Sequence, residues 1–434
     1  MSIPSAATLA QSSAYVCRSC KSKLGAFRNV RLTTPRAIST ASSTRRTPEP
    51  ALQPWRTTLS SPRPNNGAFA AALRINNVCG CSTSTNTIRP VDSGIAPLPH
   101  RQLISLSGPD TVKLLQGMIT NNVHAGRNEP FFAAFLDSRG RVLWDVFVWV
   151  YPELLAREEN WSCYIEVDAA EAEALKKHLK RHKLRSKVNI ELVPEEELEV
   201  WAAWGHAQKS IDRQAVEAEL CDPRGDQETL WRILWKPSQN FFGDKAAVQD
   251  EWQYHLQRYR QGIAEGPQEM PRESALPMEV NIDLSHGIDF KKGCYLGQEL
   301  TIRTKHTGVV RKRMLPVQLD FSGGPGSTSL RPQPGADIKQ LDEAGAIKKG
   351  RAAGKFVASI GEVGLAMCRL EMMTPMRISA EGGSYKEGME FGVSVGEGGH
   401  VVKVKPVLHG WFEARERALW AKSKPKMVTA ADAE

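Results

Sequence analysis

The 434-residue sequence lacks several features by which protein classes are recognised. It has no apolar run of the ~18 residues that a membrane-spanning helix needs, so we expect no membrane insertion. It also has no glycine-rich loop of the kind that cradles phosphates, no internal repeat and no cysteine–histidine cluster of the zinc-binding kind. These absences argue against an integral membrane protein, a phosphate-loop nucleotide hydrolase, a repeat protein and a zinc protein.

Acidic residues are almost missing from residues 1–91, which hold twelve Arg and Lys but only one acid, Glu49. The segment is also rich in Ser, Thr, Pro and Ala, a composition typical of a mitochondrial transit peptide followed by a disordered linker. The rest of the chain holds 45 basic and 47 acidic residues, so the net charge of +9 comes from this segment. We therefore predict a transit peptide and linker at residues 1–90, and a mature protein that binds no nucleic acid through a basic surface.

The eight cysteines are too scattered for a disulfide framework, which suits a reducing compartment. Two close pairs lie in the predicted leader and have no further metal ligands nearby. The other four are Cys163, Cys221, Cys294 and Cys368. Cys294 is the cysteine whose neighbouring residues predict a functional thiol.

Cys294 lies between two glycines, after two lysines and before a Gln-Glu pair. The run is Lys291-Lys292-Gly293-Cys294-Tyr295-Leu296-Gly297-Gln298-Glu299. Lysines and a helix starting after Gly297 would lower the pKa of the thiol and favour the thiolate, the form that ligates metal. The alternative is a small buried hydrophobe, as most free cysteines are. The polar neighbours favour an accessible thiol on a loop or helix start, and Arg303, Lys305 and residues 311–313 extend a predicted positive patch.

Hydrophobic periodicity and turn residues predict alternating strands and helices after the leader. Strands are predicted at residues 97–105, 131–136, 141–151, 163–167, 188–192, 200–204 and 231–235, and helices at 109–119, 168–182 and 246–260. The outer face of the helix at 168–182 carries four basic residues, which we interpret as a solvated face. From Met314 onward, short strands separated by glycine clusters predict a small β-barrel.

Residues 292–299 resemble the KGCYxGQE signature of YgfZ-type proteins. These proteins are relatives of the tetrahydrofolate-dependent aminomethyltransferase of the glycine cleavage system, and their eukaryotic members are the Iba-type mitochondrial iron–sulfur cluster assembly factors. The signature positions are Lys292, Gly293, Cys294, Tyr295, Gly297, Gln298 and Glu299. Shorter segments resemble other motifs of the family at residues 108–122, 140–145, 222–224, 277–281 and 364–369, so the resemblance spans about Pro97 to Trp411.

The resemblance implies an α+β fold, with aminomethyltransferase-like (folate-binding) mixed α/β domains and a C-terminal β-barrel domain. We expect a discontinuous first domain made of residues 91–155 and 255–310, whose second segment carries the cysteine motif and returns to the sheet begun by the first. Residues 156–254 would form the second α/β domain. Residues 311–434 would form the barrel and a tail.

Asp145 is the first candidate pocket residue. It shares one face of its predicted strand with apolar residues, namely Leu143, Phe147 and Trp149. The resemblance places it where aminomethyltransferases have an essential aspartate, although Trp144 replaces the first aspartate of their tandem pair. Burial would raise the pKa of this carboxyl unless it receives hydrogen bonds. The alternative is that Asp145 caps backbone amides or faces a wet cavity.

The segment from Pro277 to Asp283 supplies the other candidate pocket residues, because it resembles the P-x-E-x-N motif of the family. In an extended segment, Glu279 and Asn281 would share one face. They would offer an acceptor and an amide to a polar heterocycle such as a pterin, and the alternative is a hydrogen-bond network at a strand edge. The resemblance therefore implies a folate-type pocket that also includes Asp145.

Three functions remain open. The first is a mitochondrial matrix factor that assists [4Fe–4S] cluster formation for matrix enzymes, with Cys294 as a cluster ligand. One cysteine cannot hold a cluster alone, so a partner would share it, and the resemblance implies A-type iron–sulfur carrier proteins of the matrix. The second is a tetrahydrofolate-dependent one-carbon (aminomethyl) transferase, and the third is a binding module without a redox role. The first function explains the cysteine signature, so we expect an assembly factor on a transferase-like fold rather than a conventional enzyme.

Overall fold

The computed structural model describes residues 90–226, 228–238, 248–321, 331–379, 382–396 and 399–420. The predicted leader, apart from its last residue, lies outside the described residues. The strands are β1 Gly94–Pro97, β2 Arg101–Ser107, β3 Phe131–Leu136, β4 Val142–Trp149, β5 Cys163–Asp168, β6 Asn189–Leu192, β7 Glu199–Trp204, β8 Ala218–Cys221, β9 Leu230–Trp235, β10 Lys312–Asp320, β11 Asp337–Gln340, β12 Gly354–Ile360, β13 Val363–Arg369, β14 Phe391–Val395 and β15 His400–Pro406. The α-helices are α1 Thr111–Gln116, α2 Pro152–Arg157, α3 Ala172–Lys183, α4 Glu251–Gln261, α5 Gly266–Glu269, α6 Gln298–Thr307, α7 Leu370–Met373 and α8 Gly410–Trp420. They accompany two open sheets and a closed barrel, which confirms the predicted α+β class.

The first sheet has the strand order β3-β4-β5-β2-β6, and its neighbouring strands are antiparallel. Its β3–β4 hairpin turns at residues 137–140, between the predicted strands 131–136 and 141–151, because Asp137 accepts hydrogen bonds from the backbone N–H groups of Arg139 and Arg141. Gly140 closes the turn with a φ of +79°, a conformation that glycine adopts without steric cost. Strand β3 has the predicted bounds, residues 131–136.

A β-bulge in β4 changes which side chains share a face. The register of β3 against β4 shifts between Phe135 and Leu136, which makes Leu143 an extra residue. Leu143 therefore packs in a different hydrophobic cluster from Phe147. The prediction that Leu143 shares the face of Asp145 and Phe147 is wrong, because strict alternation holds only for an unbulged strand.

The second sheet has the antiparallel order β1-β7-β9-β8. One hydrophobic cluster contains Phe147 and Trp149 of the first sheet together with Trp204 and Leu234 of the second, so the two sheets bury a common core. Strand β1 falls in the predicted first domain yet pairs in the second sheet, whereas β5 and β6 fall in the predicted second domain yet pair in the first. The strands therefore cross the boundary placed at residue 155, and the division into domains stays a prediction.

Residues 255–310 contain no strand. A loop in this segment nevertheless hydrogen-bonds to the first residue of β4, because Glu273 N donates to Val142 O (2.9 Å) and Val142 N donates to Ala275 O (3.0 Å). The segment thus contacts the sheet through a loop and not through a strand, and the discontinuous first domain stays a prediction.

The C-terminal strands close into a barrel with the order β10-β13-β12-β11-β14-β15. Its core contains Leu315, Val317 and Leu319 of β10, and Phe412 of α8 packs into the same cluster. This arrangement confirms the predicted barrel.

Helix α3 follows a short 3-10 turn in which Asp168 accepts a hydrogen bond from Ala170 N. Leu175 and Leu179 of α3 are buried against the first sheet, as the helical period predicts. Within the described ranges, no helix combines the length and the hydropathy needed to cross a bilayer.

Candidate functional site

The cysteine signature forms a loop that ends where α6 begins. Cys294 is exposed, and the next residue, Tyr295, is buried. Gly297 adopts a φ of +81° at the N-cap of α6. The helix start predicted after Gly297 is therefore confirmed, and Cys294 lies on the exposed loop before it.

The turn that follows α1 holds this loop in place through backbone hydrogen bonds. Leu296 N donates to Gly117 O (3.0 Å), and Asp289 N donates to Thr120 O (3.1 Å). The hydroxyl of Thr120 donates in turn to Gly287 O (2.6 Å). The segment 108–122 and the cysteine signature, which both resemble motifs of the family, are therefore in contact, and the first segment holds the signature loop in place.

Lys292 is an anchor of the loop. Its Nζ donates to Ile119 O and Asn121 O at 2.7 Å each, and it lies 5.0 Å from the centroid of the Tyr295 ring. Burial lowers the pKa of Lys292 to about 7. Both lysines were predicted to favour the thiolate. Lys291 is exposed, whereas the ammonium of Lys292 is bound to backbone carbonyl groups.

The two glycines of the signature have different surroundings. A Cβ on Gly297 would lie 2.4 Å from Asp137 O and 3.2 Å from Gly140 Cα, so only glycine fits there. A Cβ on Gly293 would meet no atom within 4 Å. Packing within this chain therefore does not require glycine at position 293, and the bare backbone leaves the space beside Cys294 open to another molecule.

Cys294 lines a cleft of about 500 Å³. The cleft is built from α1 and its following turn, the end of α3 and the signature loop, and its lining residues are Lys113, Leu114, Gly117, Met118, His182, Ser186, Cys294, Tyr295 and Leu296. It opens to solvent, because Lys113, Gly117, His182 and Cys294 are exposed. The contribution of α3 to the cleft was not predicted, because its only signal in the sequence was the basic run that we interpreted as a solvated face.

Arg313, the last residue of the predicted positive patch, is not on the surface. Arg313 is fully buried and pairs with Asp283 (2.5 Å) and with Glu416 (2.6 Å). The ammonium of Lys312 pairs with Glu279 at 2.8 Å. The prediction that Arg313 extends the patch is wrong, because internal carboxylates neutralise this guanidinium.

Asp145 is buried on β4. Its Oδ1 accepts a hydrogen bond from Gly266 N (3.1 Å), and its Oδ2 lies 3.7 Å from a guanidinium nitrogen of Arg101. Asp145 Oδ2 has no hydrogen-bond partner. The carboxylate thus faces an internal cation and retains one acceptor atom.

Glu279 and Asn281 lie in a series of turns and not in the extended segment that we predicted. Asn281 has a φ of +62°, and its Nδ2 donates to Met314 O (2.7 Å) while its Oδ1 has no partner. Glu279 is held by Lys312. Among the described residues, no hydrogen bond or ion pair joins any two of Asp145, Glu279 and Asn281.

A buried charge network lies between the two sheets, and sequence reasoning missed it. Arg232 of β9 pairs with Glu166 of β5 and with Glu265. Arg101 of β2 donates from Nε to Glu166 at 2.8 Å. All of these side chains are buried. An isolated charge within a predicted strand normally faces solvent, so the sequence carried no signal for this network.

His100, Glu251 and His255 bring three ligand-type atoms within 4.8 Å of one another. Arg258 Nε donates to His255 Nδ1 (2.9 Å), so the proton of a neutral His255 ring lies on Nε2, 3.2 Å from Glu251. Glu251 and both ring nitrogens of His255 thus have hydrogen-bond partners without a metal ion.

The fold defines the class of protein. A comparison with solved structures finds the glycine cleavage system aminomethyltransferase T from Bartonella henselae, with a TM-score of 0.51 and 13% sequence identity over 74% of this chain and 87% of that one. The two chains share the aminomethyltransferase-like fold. The family model described as "CAF17, C-terminal beta-barrel domain" matches residues 311–412, which contain the barrel.

Sequence relatives identify the family. The mitochondrial iron-sulfur cluster assembly factor IBA57 homolog of Phaeosphaeria nodorum is 54% identical over 355 residues, which cover 79% of this chain and 86% of the relative. The proteins of the same name from Coccidioides immitis and Neurospora crassa are 41% and 40% identical over 75% and 76% of this chain, and 84% of each relative is covered. The chain belongs to the IBA57 family of mitochondrial iron–sulfur cluster assembly factors.

Proposed function

We propose that this protein assists the formation of [4Fe–4S] clusters for enzymes of the mitochondrial matrix, with Cys294 as a ligand to a cluster shared with a partner. The observation that carries the proposal is the exposure of this thiol. Among the cysteines of the described residues, Cys294 is exposed, Cys221 is half-buried, and Cys163 and Cys368 are buried. The relatives named as iron–sulfur cluster assembly factors support the same function.

A partner is needed because one thiolate cannot hold an iron–sulfur cluster. The one group of three metal-ligand side chains found within the described residues does not include Cys294. The missing ligands therefore come from a second protein, and we propose an A-type iron–sulfur carrier of the matrix in this role. The cluster is then cargo, to which Cys294 contributes one bond.

The signature loop suits such a shared ligand. Because Lys292 and the turn after α1 hold the loop, the thiol loses little conformational freedom when it binds iron. The thiolate is the form that ligates metal, and the exposed cations Lys291 and Lys113 favour the negative charge of a thiolate-bound cluster. The open backbone at Gly293 gives a partner close access to the sulfur.

The test compares wild-type protein with Cys294→Ser and with the matched control Cys221→Ser. Wild type and control, mixed anaerobically with an A-type carrier, iron and sulfide, should form a coloured complex detected by visible absorption and native mass spectrometry. Cys294→Ser should form none, and in cells it should lower the activity of matrix [4Fe–4S] enzymes. It should fold normally, because exposed substitutions seldom cost more than ~0.5 kcal/mol. A folded serine variant that supports those enzymes fully would refute the assignment.

Tetrahydrofolate binding is the second candidate function. The observation that favours it is that Asp145 Oδ2 and Asn281 Oδ1 lack hydrogen-bond partners, so both can accept N–H groups of a pterin. The alternative of one-carbon transfer is disfavoured by Trp144, which stands where the resemblance expects an aspartate. Calorimetric titration should give a heat of binding that Asp145→Asn and Asn281→Ala reduce. No heat at millimolar tetrahydrofolate would exclude this function and leave the cluster function untouched.

A further inference from the structure

The end of α3 presents an apolar side chain beside the cleft that contains Cys294. His182 and Ser186 line that cleft, and Leu184, which lies between them in the chain, is 84% exposed. The other exposed large hydrophobic side chains of the described residues are only 36% to 47% exposed. Leu184 therefore offers a whole leucine side chain to another molecule.

The backbone conformation at Leu184 shows that a leucine at this position does not stabilise the fold. Ser186 N donates to Lys183 O (2.7 Å) and closes a turn, in which Leu184 has a φ of 47° and a ψ of −109°. These angles are those of the first central position of a type II′ turn, which glycine normally occupies. A leucine here strains the backbone and gains no burial.

The turn that carries Leu184 is held in place. Lys187 N donates to Asp110 Oδ2 at 2.7 Å. Lys187 O would lie 2.5 Å from a Cβ on Gly108, so the chain packs tightly against this glycine, whose φ is +122°. The exposure of Leu184 is therefore a property of a packed turn between α3 and the start of α1.

Basic side chains surround Leu184. Residues 176–187 contain seven Lys and Arg and no acid. The exposed members near the turn are Lys180, Arg181, Arg185 and Lys187, and Lys113 adds a cation at the cleft. We call Leu184 and these five basic residues the Leu184 surface. The basic run, which we interpreted from the sequence as a solvated face, thus ends beside the cleft that contains Cys294.

We infer that the Leu184 surface docks the protein that supplies the remaining cluster ligands, and that this partner presents an acidic face with an apolar recess for Leu184. The inference rests on the proposed function and adds the chemistry of the partner. Complementary charge speeds encounter and fixes orientation, and the leucine adds buried apolar area after contact. The adjoining cleft then brings Cys294 into the same interface.

An anionic membrane would also attract these charges, but the shape of the surface favours a protein. Helices that lie on membranes need a continuous apolar face. The apolar side chains Leu175 and Leu179 of α3 are buried in the core. A single exposed leucine beside a concave cleft fits a protein recess better than a bilayer.

The test measures the binding of a cluster-free A-type carrier to the full chain by calorimetry at low and high salt. Leu184→Gly should weaken binding about tenfold or more, because burying one leucine is worth at least that factor, while its urea midpoint stays equal or rises. The pair Arg181→Glu and Arg185→Glu should weaken binding similarly and remove most of its salt dependence. Cys294→Ser should bind the cluster-free carrier as wild type does.

Matched controls lie on the barrel side of the chain. Val407→Gly removes another exposed apolar side chain, and the pair Lys348→Glu and Lys349→Glu makes the same change of charge at exposed positions. Both controls should bind the carrier with wild-type affinity.

The outcomes separate this inference from the proposed function. Unchanged binding by the variants at Leu184, Arg181 and Arg185, with normal cluster formation, would overturn the docking surface alone. Cluster formation by Cys294→Ser with normal docking would overturn the ligand role alone. No binding of the cluster-free carrier by wild type would overturn the docking surface, and the ligand role is then decided by whether wild type forms the coloured complex with carrier, iron and sulfide. Binding to phosphatidylcholine–phosphatidylglycerol vesicles that Leu184→Gly abolishes, without an effect on the carrier, would assign the surface to membranes and overturn the inference.

Discussion

Gly140 and Gly297 pack backbone against backbone. A Cβ on Gly140 would lie 2.9 Å from Gly297 O, and a Cβ on Gly297 would lie 3.2 Å from Gly140 Cα. Both residues have positive φ. The contact joins the β3–β4 turn to the start of α6, so the position of the Cys294 loop depends on a glycine outside the signature as well as on one within it.

Gly297→Ala should destabilise the fold by about 1–3 kcal/mol. A non-glycine residue with left-handed φ costs roughly 1–2 kcal/mol, and the new methyl group would also overlap Asp137 O. Urea unfolding followed by tryptophan fluorescence measures the change. Gly293→Ala is the matched control and should stay within ~0.5 kcal/mol of wild type, since its methyl group meets open space. Equal losses in the two variants would contradict this account of the loop.

Thiol reactivity should follow the burial of the four cysteines in the described residues. Brief treatment of the native protein with iodoacetamide should modify Cys294 first and Cys221 more slowly, and it should spare Cys163 and Cys368. Burial raises the pKa of Cys368 to about 12 and raises that of Cys163 as well, which suppresses the reactive thiolate. Peptide mass spectrometry gives the order. Modification of Cys163 ahead of Cys294 in folded protein would show that the loop is covered.

The features that could be predicted from sequence are those with local causes. Strand β3 could be bounded from its short apolar run, and the turn after it from Asp137 and Gly140, because both signals lie within a few residues. The start of α6 followed from Gly297 for the same reason. The barrel followed from short strands separated by glycines.

The features that could not be predicted depend on partners far away in the chain. Lys291 and Lys292 are alike in sequence, and only the carbonyl groups behind the loop make the second an anchor. Asn281 was expected in an extended segment, but its positive φ belongs to a turn that packs on β10. Arg313 looked like a surface cation, because the carboxylates that bury it are distant in sequence.

Arg313→Leu should destabilise the protein by about 3–5 kcal/mol, because it leaves the buried carboxylates of Asp283 and Glu416 without their cation. The matched control is Lys355→Leu, which breaks an exposed pair with Asp337 and should cost about 0–1 kcal/mol. Chemical unfolding measures both variants. A loss below 1 kcal/mol for Arg313→Leu would mean that the carboxylates find other partners or bind protons.

His100 bridges two carboxylates at the edge of the buried charge network. Its Nδ1 lies 2.5 Å from Glu251 Oε1, and its Nε2 lies 2.9 Å from Glu265 Oε1. Burial by itself lowers the pKa of His100, but the hydrogen bonds to Glu251 and Glu265 outweigh burial and raise the pKa above its ordinary value, against the opposing charge of Arg101. The folded protein therefore favours the protonated ring.

This raised pKa predicts a pH-dependent contribution of His100 to stability. The contribution is fully present below the unfolded pKa of about 6.5, and it is lost as the pH rises through the higher folded pKa. As the pH rises above about 6.5, the free energy of unfolding of wild type should therefore fall relative to that of His100→Gln. Glu251 does not titrate at these pH values, because hydrogen bonds from His100 and His255 outweigh the effect of burial and lower its pKa to about 2. Urea unfolding at a series of pH values, with the exposed His124→Gln as control, measures the difference. If the difference does not change with pH, His100 is not charged in the folded state.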